Sequence, residues 1–295
     1  MATRIATGDN ETRLRGARWW KEVGWKHIFA IAVIVFAIFP LLYVLSASFN
    51  PTGTLTGSTS LFSAFTMDHY IRLFGTDFPK WMLNSFIVST TTAIGTVVMA
   101  AAAAYAFSRF RFKGRRGGLT ALLIIQMFPQ MLAFVAIFLL VTTLGEIFPV
   151  LGIGSNLALI CVYLGGALGA NTFLMYGFFN TIPKELDEAA KIDGATHAQI
   201  FWGIMMRLVT PILAVVGLLS FVGSYGEFIL ARLVLGRPEN YTLAVGLYVW
   251  GSDERNAPWA LFAAGAVIAA IPVILLFMYL QKYIVSGLTA GGVKG

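Results

Sequence analysis

The chain has 295 residues, 58% of them hydrophobic and 12% charged, with a formal net charge of +7 and a mean hydropathy of +0.77. A soluble globular domain carries about a quarter charged residues, so the composition excludes one and places the chain in lipid. A single cysteine, Cys161, and three scattered histidines, His27, His69 and His197, exclude a disulfide framework and a zinc or other metal cluster.

Residues 1–26 read as a polar tail that becomes an interfacial helix around Trp19, Trp20 and Trp25, rings that suit the headgroup level. Six apolar runs follow, near 27–49, 83–107, 119–142, 156–179, 205–226 and 259–282. Each approaches the ~20 helical residues that cross a hydrocarbon core. The runs are continuous rather than alternating, so the predicted fold class is all-α with six transmembrane helices, and a barrel is excluded. The first run is too long for the apolar part of a cleaved signal and lacks a small-residue cleavage site, so it reads as a retained helix.

Between the runs, the segment 50–82 opens with Asn50-Pro51-Thr52-Gly53, and 67–74 is predicted as a short surface helix. The unbroken Ala100–Ala104 and the cluster Gly165, Gly166 and Gly169 predict faces where helices approach closely. Gly145, Pro149, Gly152 and Gly154 mark 143–155 as a turn-rich link, and 227–258 reads as a polar, aromatic connection. Pro40, Pro129, Pro211 and Pro272 fall inside runs and are expected kinks. A glycine-rich segment, 283–295, closes the chain. The domain reading is thus a tail over 1–26, a six-helix domain over 27–282 and a second tail over 283–295.

Lys and Arg set the orientation. With both termini inside, sixteen of the 21 fall on the inner side, including Arg109, Arg111, Lys113, Arg115 and Arg116 after the second run. The net charge is an orientation signal, and nucleic acid is not an expected partner. Both termini and the island 181–207 are expected to be cytoplasmic.

That island, TIPKELDEAAKIDGATHAQIFWGIMMR, carries the chain's most ordered polar pattern. Thr181 and Pro183 predict a helix start. Lys184 pairs with Glu188, and Asp187 with Lys191, at a spacing of four. Asp193-Gly194 predicts a tight turn, and Thr196 with Gln199 a capping box for a second helix. The expected unit is helix, glycine turn, helix.

Glu188-Ala189-Ala190, then Gly194 and Ile204 at the matching spacing, resemble the EAA loop of ABC importer permeases. The run from Glu188 to Ala195 is most similar to the carbohydrate-uptake branch. Gln126-Met127-Phe128-Pro129, the stretch from Tyr241 to Gly246 and the end from Gly287 to Gly295 resemble MalG-type maltose and maltodextrin permeases. The pattern departs at Met206 and Arg207, where the family has leucine and proline. A smoother passage from the hairpin into the fifth run is therefore expected.

The resemblance implies a type I importer permease fold and an inner-membrane permease subunit, itself no enzyme and without catalytic or metal residues. Its implied partners are a second permease, two ATP-binding subunits that hold ATP and Mg, and an extracytoplasmic sugar-binding protein, with maltose, maltodextrin or a related oligosaccharide as cargo. Residues Glu188, Ala189, Ala190, Asp193 and Gly194 would couple to the ATPase. Gly291, Gly292, Val293 and Lys294 match a tail that reaches the ATPase dimer, though a frayed terminus explains them equally. Gly251, Ser252, Asp253, Glu254, Arg255 and Asn256 match the loop presented to the binding protein, and a plain turn explains them as well. The chain lacks a phosphate-binding loop of its own. An ion-coupled secondary transporter is the alternative, but it calls for mid-membrane ionisable groups, which are scarce here. Glu146 and Glu227 are the acids nearest the apolar runs.

Overall fold

The computed structural model describes residues 16, 19–51, 61–252 and 257–292, and every regular element among them is helical. Helix α1 (Trp25–Ser48) continues directly from a π-helical turn, Trp20–Gly24. The short α2 (Asp68–Leu73) forms where the sequence predicts it. Next come α3 (Phe78–Arg109), α4 (Arg115–Gln126), α5 (Gln130–Ile147), α6 (Asn156–Gly165) and α7 (Gly169–Phe179). The hairpin is α8 (Glu185–Ile192) and α9 (His197–Leu208). It is followed by α10 (Thr210–Gly226), α11 (Ile229–Leu235), α12 (Leu243–Gly251) and α13 (Trp259–Gly292).

Four helical stretches are long and apolar enough to cross a membrane: Trp20–Ser48, Phe78–Arg109, Gln130–Ile147 and Trp259–Tyr283. Two further stretches are bent pairs, α6 with α7 at 55° and α9 with α10 at 82°. Taking each pair as one span brings the number to six. Helix α3 is the longest of the unbroken spans before α13, and at 1.5 Å per residue it measures about 48 Å, well beyond the ~30 Å core.

The third run needs correction. Residues 119–142 are not one helix, because α4 ends at Gln126 and α5 starts only at Gln130. Pro129 is extended (φ −61°, ψ 112°), has no N–H to continue the ladder and disfavours helical geometry in the residue before it. The fifth run departs too. Instead of passing smoothly into it, the chain turns by 82° between Leu208 and Thr210. Pro211 stands in the first turn of α10 and cannot extend the preceding helix. The Thr210 hydroxyl donates to the carbonyls left over, at 2.8 Å to Arg207 and 3.2 Å to Met206. A proline four residues beyond Arg207 thus suffices to make the corner.

Among its described residues, the segment 227–258, expected as a polar, aromatic connection, is largely helical. The Glu227 carboxylate accepts from the backbone N–H of Leu230 (2.8 Å) and Ala231 (3.0 Å) and so starts α11. Buried Ala231, Val234, Leu235, Leu243 and Val245 then hold α11 and α12 against the bundle. Pro272 lies inside α13 without ending it, and the backbone stays helical through 283–292.

Two cores form, one toward each end of the bundle. The first gathers Phe78, Trp81, Val88, Leu159, Phe221 and Tyr225 with α11 and α12. The second gathers Ala100, Ala101, Ala104, Tyr105, Met175 and Phe179 with hairpin residues Ala190, Ile200, Phe201 and Met205. Lipid tails are as apolar as leucine, so these cores gain from close packing rather than from removal of water. The alanine face of α3 serves that packing as expected. In the fourth run the close approach is made by side chains: Leu164 lies on Gly95, and Gln126 covers Gly169. Backbones meet where α5 ends, since a Cβ on Gly145 would stand 2.6 Å from Gly152 Cα.

That crossing generates a test. Gly145→Ala must push two backbones apart and is expected to cost about 1–3 kcal/mol. Gly177→Ala, with nothing within 4 Å of its Cβ position, is expected to be neutral or slightly stabilising. Thermal unfolding of the two variants in detergent checks the difference.

Candidate functional site

The polar island folds as a hairpin seated on the end of α3. Its first helix begins later than Thr181 predicts. The Thr181 hydroxyl donates backward to the Phe178 carbonyl (2.8 Å), and α8 starts at Glu185 without a side-chain cap. Three acids, Glu185, Asp187 and Glu188, fill its first turn, where the helix dipole favours them. Gly194 makes the turn at φ +83°, a region costly for residues with a Cβ. The Ala195 N–H donates to Ala190 O (2.9 Å), closing α8. The predicted capping box is present: Gln199 N–H donates to Thr196 Oγ1 (3.3 Å), and Thr196 N–H to Gln199 Oε1 (2.8 Å). Beyond it, Ile200–Met205 is π-helical.

The hairpin has an inner and an outer face. Inward, Asp187, Ala190, Ile200, Phe201 and Met205 are buried. Outward, Glu188, Ala189, Lys191, Asp193 and Gly194 are exposed, and Ile192 is 87% exposed. Of the five residues assigned to coupling, Ala190 therefore packs against its own chain, while the other four share the open face. Leu186 (43%) and Trp202 (55%) add apolar surface beside them.

What fixes the inner face is Arg109, at the last turn of α3. Its Nε lies 2.6 Å from Asp187 Oδ2, with both side chains at most 7% exposed. The Nε–H is not aligned on the carboxylate, so this contact is one of charge. Nη2 donates to the Ile182 carbonyl (3.0 Å) and approaches Met205 Sδ (3.9 Å), while Nη1 donates to Ser108 Oγ (3.2 Å). Ser108 in turn donates to Asn180 Oδ1 (2.8 Å), holding the end of α7. Sequence reasoning missed this centre by counting Arg109 as an orientation charge and pairing Asp187 with Lys191. A usable signal was that Asp187 lies three residues before Ala190, on the buried face.

The remaining candidates lie apart from the hairpin. Gly251 and Ser252 end α12 at the opposite end of the bundle, the serine hydroxyl donating to Val249 O (2.9 Å). Asp253, Glu254, Arg255 and Asn256 lie outside the described residues, as do Val293 and Lys294. Gly291 and Gly292 form the last turn of α13. Glu227 is committed to capping α11 and to Tyr163, whose hydroxyl donates to it (2.6 Å). Asn84 holds Tyr241 O (3.1 Å) and Asn156 (3.0 Å), and Tyr225 donates to Ala269 O (3.1 Å), so these are bundle contacts. Trp250 packs on Trp81, with ring centroids 4.9 Å apart, whereas Phe128 is exposed. An apolar cavity of about 540 Å³ opens between α3, α10 and α13, lined by Phe86, Ile94, Val97, Leu213 and Phe221.

Thr196→Ala removes the acceptor that starts α9 and is expected to cost about 1 kcal/mol, read as faster hydrogen exchange at the Gln199 amide with α3 unaffected.

Residues 96–290 match the family model described as binding-protein-dependent transport system inner membrane component. Over 269 residues the chain is 44% identical to the galactooligosaccharides transport system permease protein GanQ of Bacillus subtilis (strain 168), covering 90% of this chain and 92% of that one. It is 39% identical over 270 residues to the maltodextrin transport system permease protein MdxG of the same organism, covering 91% and 95%. Its fold matches a chain of a bacterial ABC transporter involved in the import of the acidic polysaccharide alginate, with a TM-score of 0.76, 23% identity and coverage of 92% and 99%. A hairpin of this pattern on a bundle of this fold, with relatives this similar over nearly the whole length, places the chain among the binding-protein-dependent transport system inner membrane components, as a permease subunit of an ABC importer rather than its ATPase.

Proposed function

We propose that this permease imports a neutral oligosaccharide of the maltodextrin or galactooligosaccharide kind, and that the α8–α9 hairpin is where ATP hydrolysis on partner subunits is coupled to its movement. The observation that carries the reading is the division of the hairpin into a buried inner face and an open outer face. Glu188, Ala189, Asp193, Gly194 and Ile192 present an acid, a small surface, a fixed turn and an unburied aliphatic side chain together. An exposed isoleucine beside a charge-assisted acceptor suits a cleft that is apolar at its floor and basic at its rim. The hairpin and both termini are cytoplasmic in this reading, following the excess of Lys and Arg on that side.

Two ATP-binding subunits, holding ATP and Mg, dock on this hairpin and its counterpart in a second permease. The segment 291–294 contacts those ATPases. At the other end, residues 251–256 face the sugar-binding protein, in keeping with the two relatives, whose names give sugars as cargo, and with the binding-protein dependence of the family. Closure of the ATPases draws the two hairpins together, and the bundles re-aim the cavity between them.

Glu188→Ala and Gly194→Val are each expected to lower sugar uptake per ATP by about tenfold, the effect of ~1.4 kcal/mol, in proteoliposomes holding the whole complex. Normal coupling in both variants would sink the reading. Uptake that survives without ATP and collapses with an ionophore would instead make the chain an ion-coupled transporter.

A further inference from the structure

We infer that Arg109 is a positioning residue for coupling: through Asp187 it locks α8 to the end of α3, so that hairpin and helix move as one body. The inference rests on the coupling role proposed for the hairpin and adds the part that transmits the movement.

Four segments of the chain meet on one guanidinium. Arg109 belongs to α3, contacts Asp187 in α8, donates to Ile182 in the connection and reaches Met205 in α9. Its neighbour Ser108 holds Asn180, where α7 ends. Without these contacts the hairpin would rest on α3 and α7 through the apolar side chains of Ala190, Ile200, Phe201 and Met205, and its link to α7 through residues 180–184 starts α8 with no side-chain cap. That connection would act as a hinge, and a push on the outer face would be taken up by rotation about it.

An apolar contact tolerates sliding, whereas a buried charge pair has one register. Breaking it leaves a charge without its partner inside the protein. Such pairs add little net stability compared with well-packed apolar residues, so burial at this level points to geometry as their use. The placement fits. Arg109 is the last residue of a helix whose other end, at Phe78 and Trp81, lies in the core shared with α11 and α12. A displacement of the hairpin therefore reaches the opposite end of the bundle along one rigid element.

The test uses the complete transporter in proteoliposomes, with whichever of maltotetraose and galactotriose the wild type imports. Hydrogen exchange is followed at the 185–194 and 210–226 amides. Asp187→Asn is expected to speed exchange over 185–194 at least tenfold, leave 210–226 unchanged and cut uptake per ATP at least tenfold. Asp187→Glu, which keeps the charge, should stay within twofold of wild type on both readouts. Wild-type exchange in Asp187→Asn, or fast exchange with coupling kept within twofold, overturns the inference. If Asp187→Asn fails to assemble, Arg109→Lys decides: it keeps the charge but loses the fork that reaches Ile182 and Met205. It must show both changes, and wild-type values for either overturn the inference. Glu188→Ala separates the two levels, since it should lose coupling while the hairpin amides stay protected. Normal coupling there and in Gly194→Val would sink the docking role and leave the exchange result to report on the clamp alone.

Discussion

No water is available in the hydrocarbon core to pair a stranded N–H or C=O, so every break in a membrane helix must be closed by the protein itself. This constraint decides where the polar side chains of the bundle go. Thr210 takes the carbonyls of Met206 and Arg207 at the 82° corner. Ser155 accepts from the first N–H groups of α6, and Asn171 donates to Ala167 O beside the bend between α6 and α7. Glu227 caps α11 with both oxygens. An acid beside an apolar span is a functional candidate, but here the carboxylate accepts from the backbone and from Tyr163. Asn240 and Trp81 do the same work at the far end, holding Gly154 O and Pro238 O.

The hairpin end of the bundle is organised differently. There the principal contact is ionic and buried, between side chains on helices with four others between them in the chain. Its worth lies in fixing one rotation: α8 is eight residues long, starts without a side-chain cap and buries only Asp187 and Ala190. Only one rotation brings Asp187 to Arg109. The same rotation turns Ala190 inward and leaves Glu188, Ala189 and Ile192 outside. The identity of the open face is thus a consequence of the buried pair, although the two share no atoms.

How much of this was legible follows the range of the interactions. The capping box at Thr196, the glycine turn and the short helix over 68–73 were readable because each depends on residues within one helical turn of each other. So were the long straight spans, whose apolar runs are continuous. The break at Pro129 was read only as a kink, since hydropathy runs unbroken across it while the backbone does not. The segment 227–258 was read as a polar, aromatic connection because α11 and α12 are seven and nine residues long, too short to show a helical period. The centre at Arg109 lay furthest out of reach. It joins residues 78 positions apart, and a surface arginine in a basic loop looks the same in sequence as a buried one.

The corner at Val209 shows why the departure at Arg207 matters less than its position implies. A proline at 207 would stop α9 within the hairpin. With arginine there, the helix runs on to Leu208 and Pro211 stops it instead. The π-helical stretch Ile200–Met205 lies before that point, and Ile200, Phe201 and Met205 are all buried. Met205 is the residue that reaches Arg109. Moving the stop downstream leaves Arg207 exposed at the corner, while the Met205 contact, which lies before it, is in place. The family pattern lapses in its letters, while the turn it encodes is made by the next proline along.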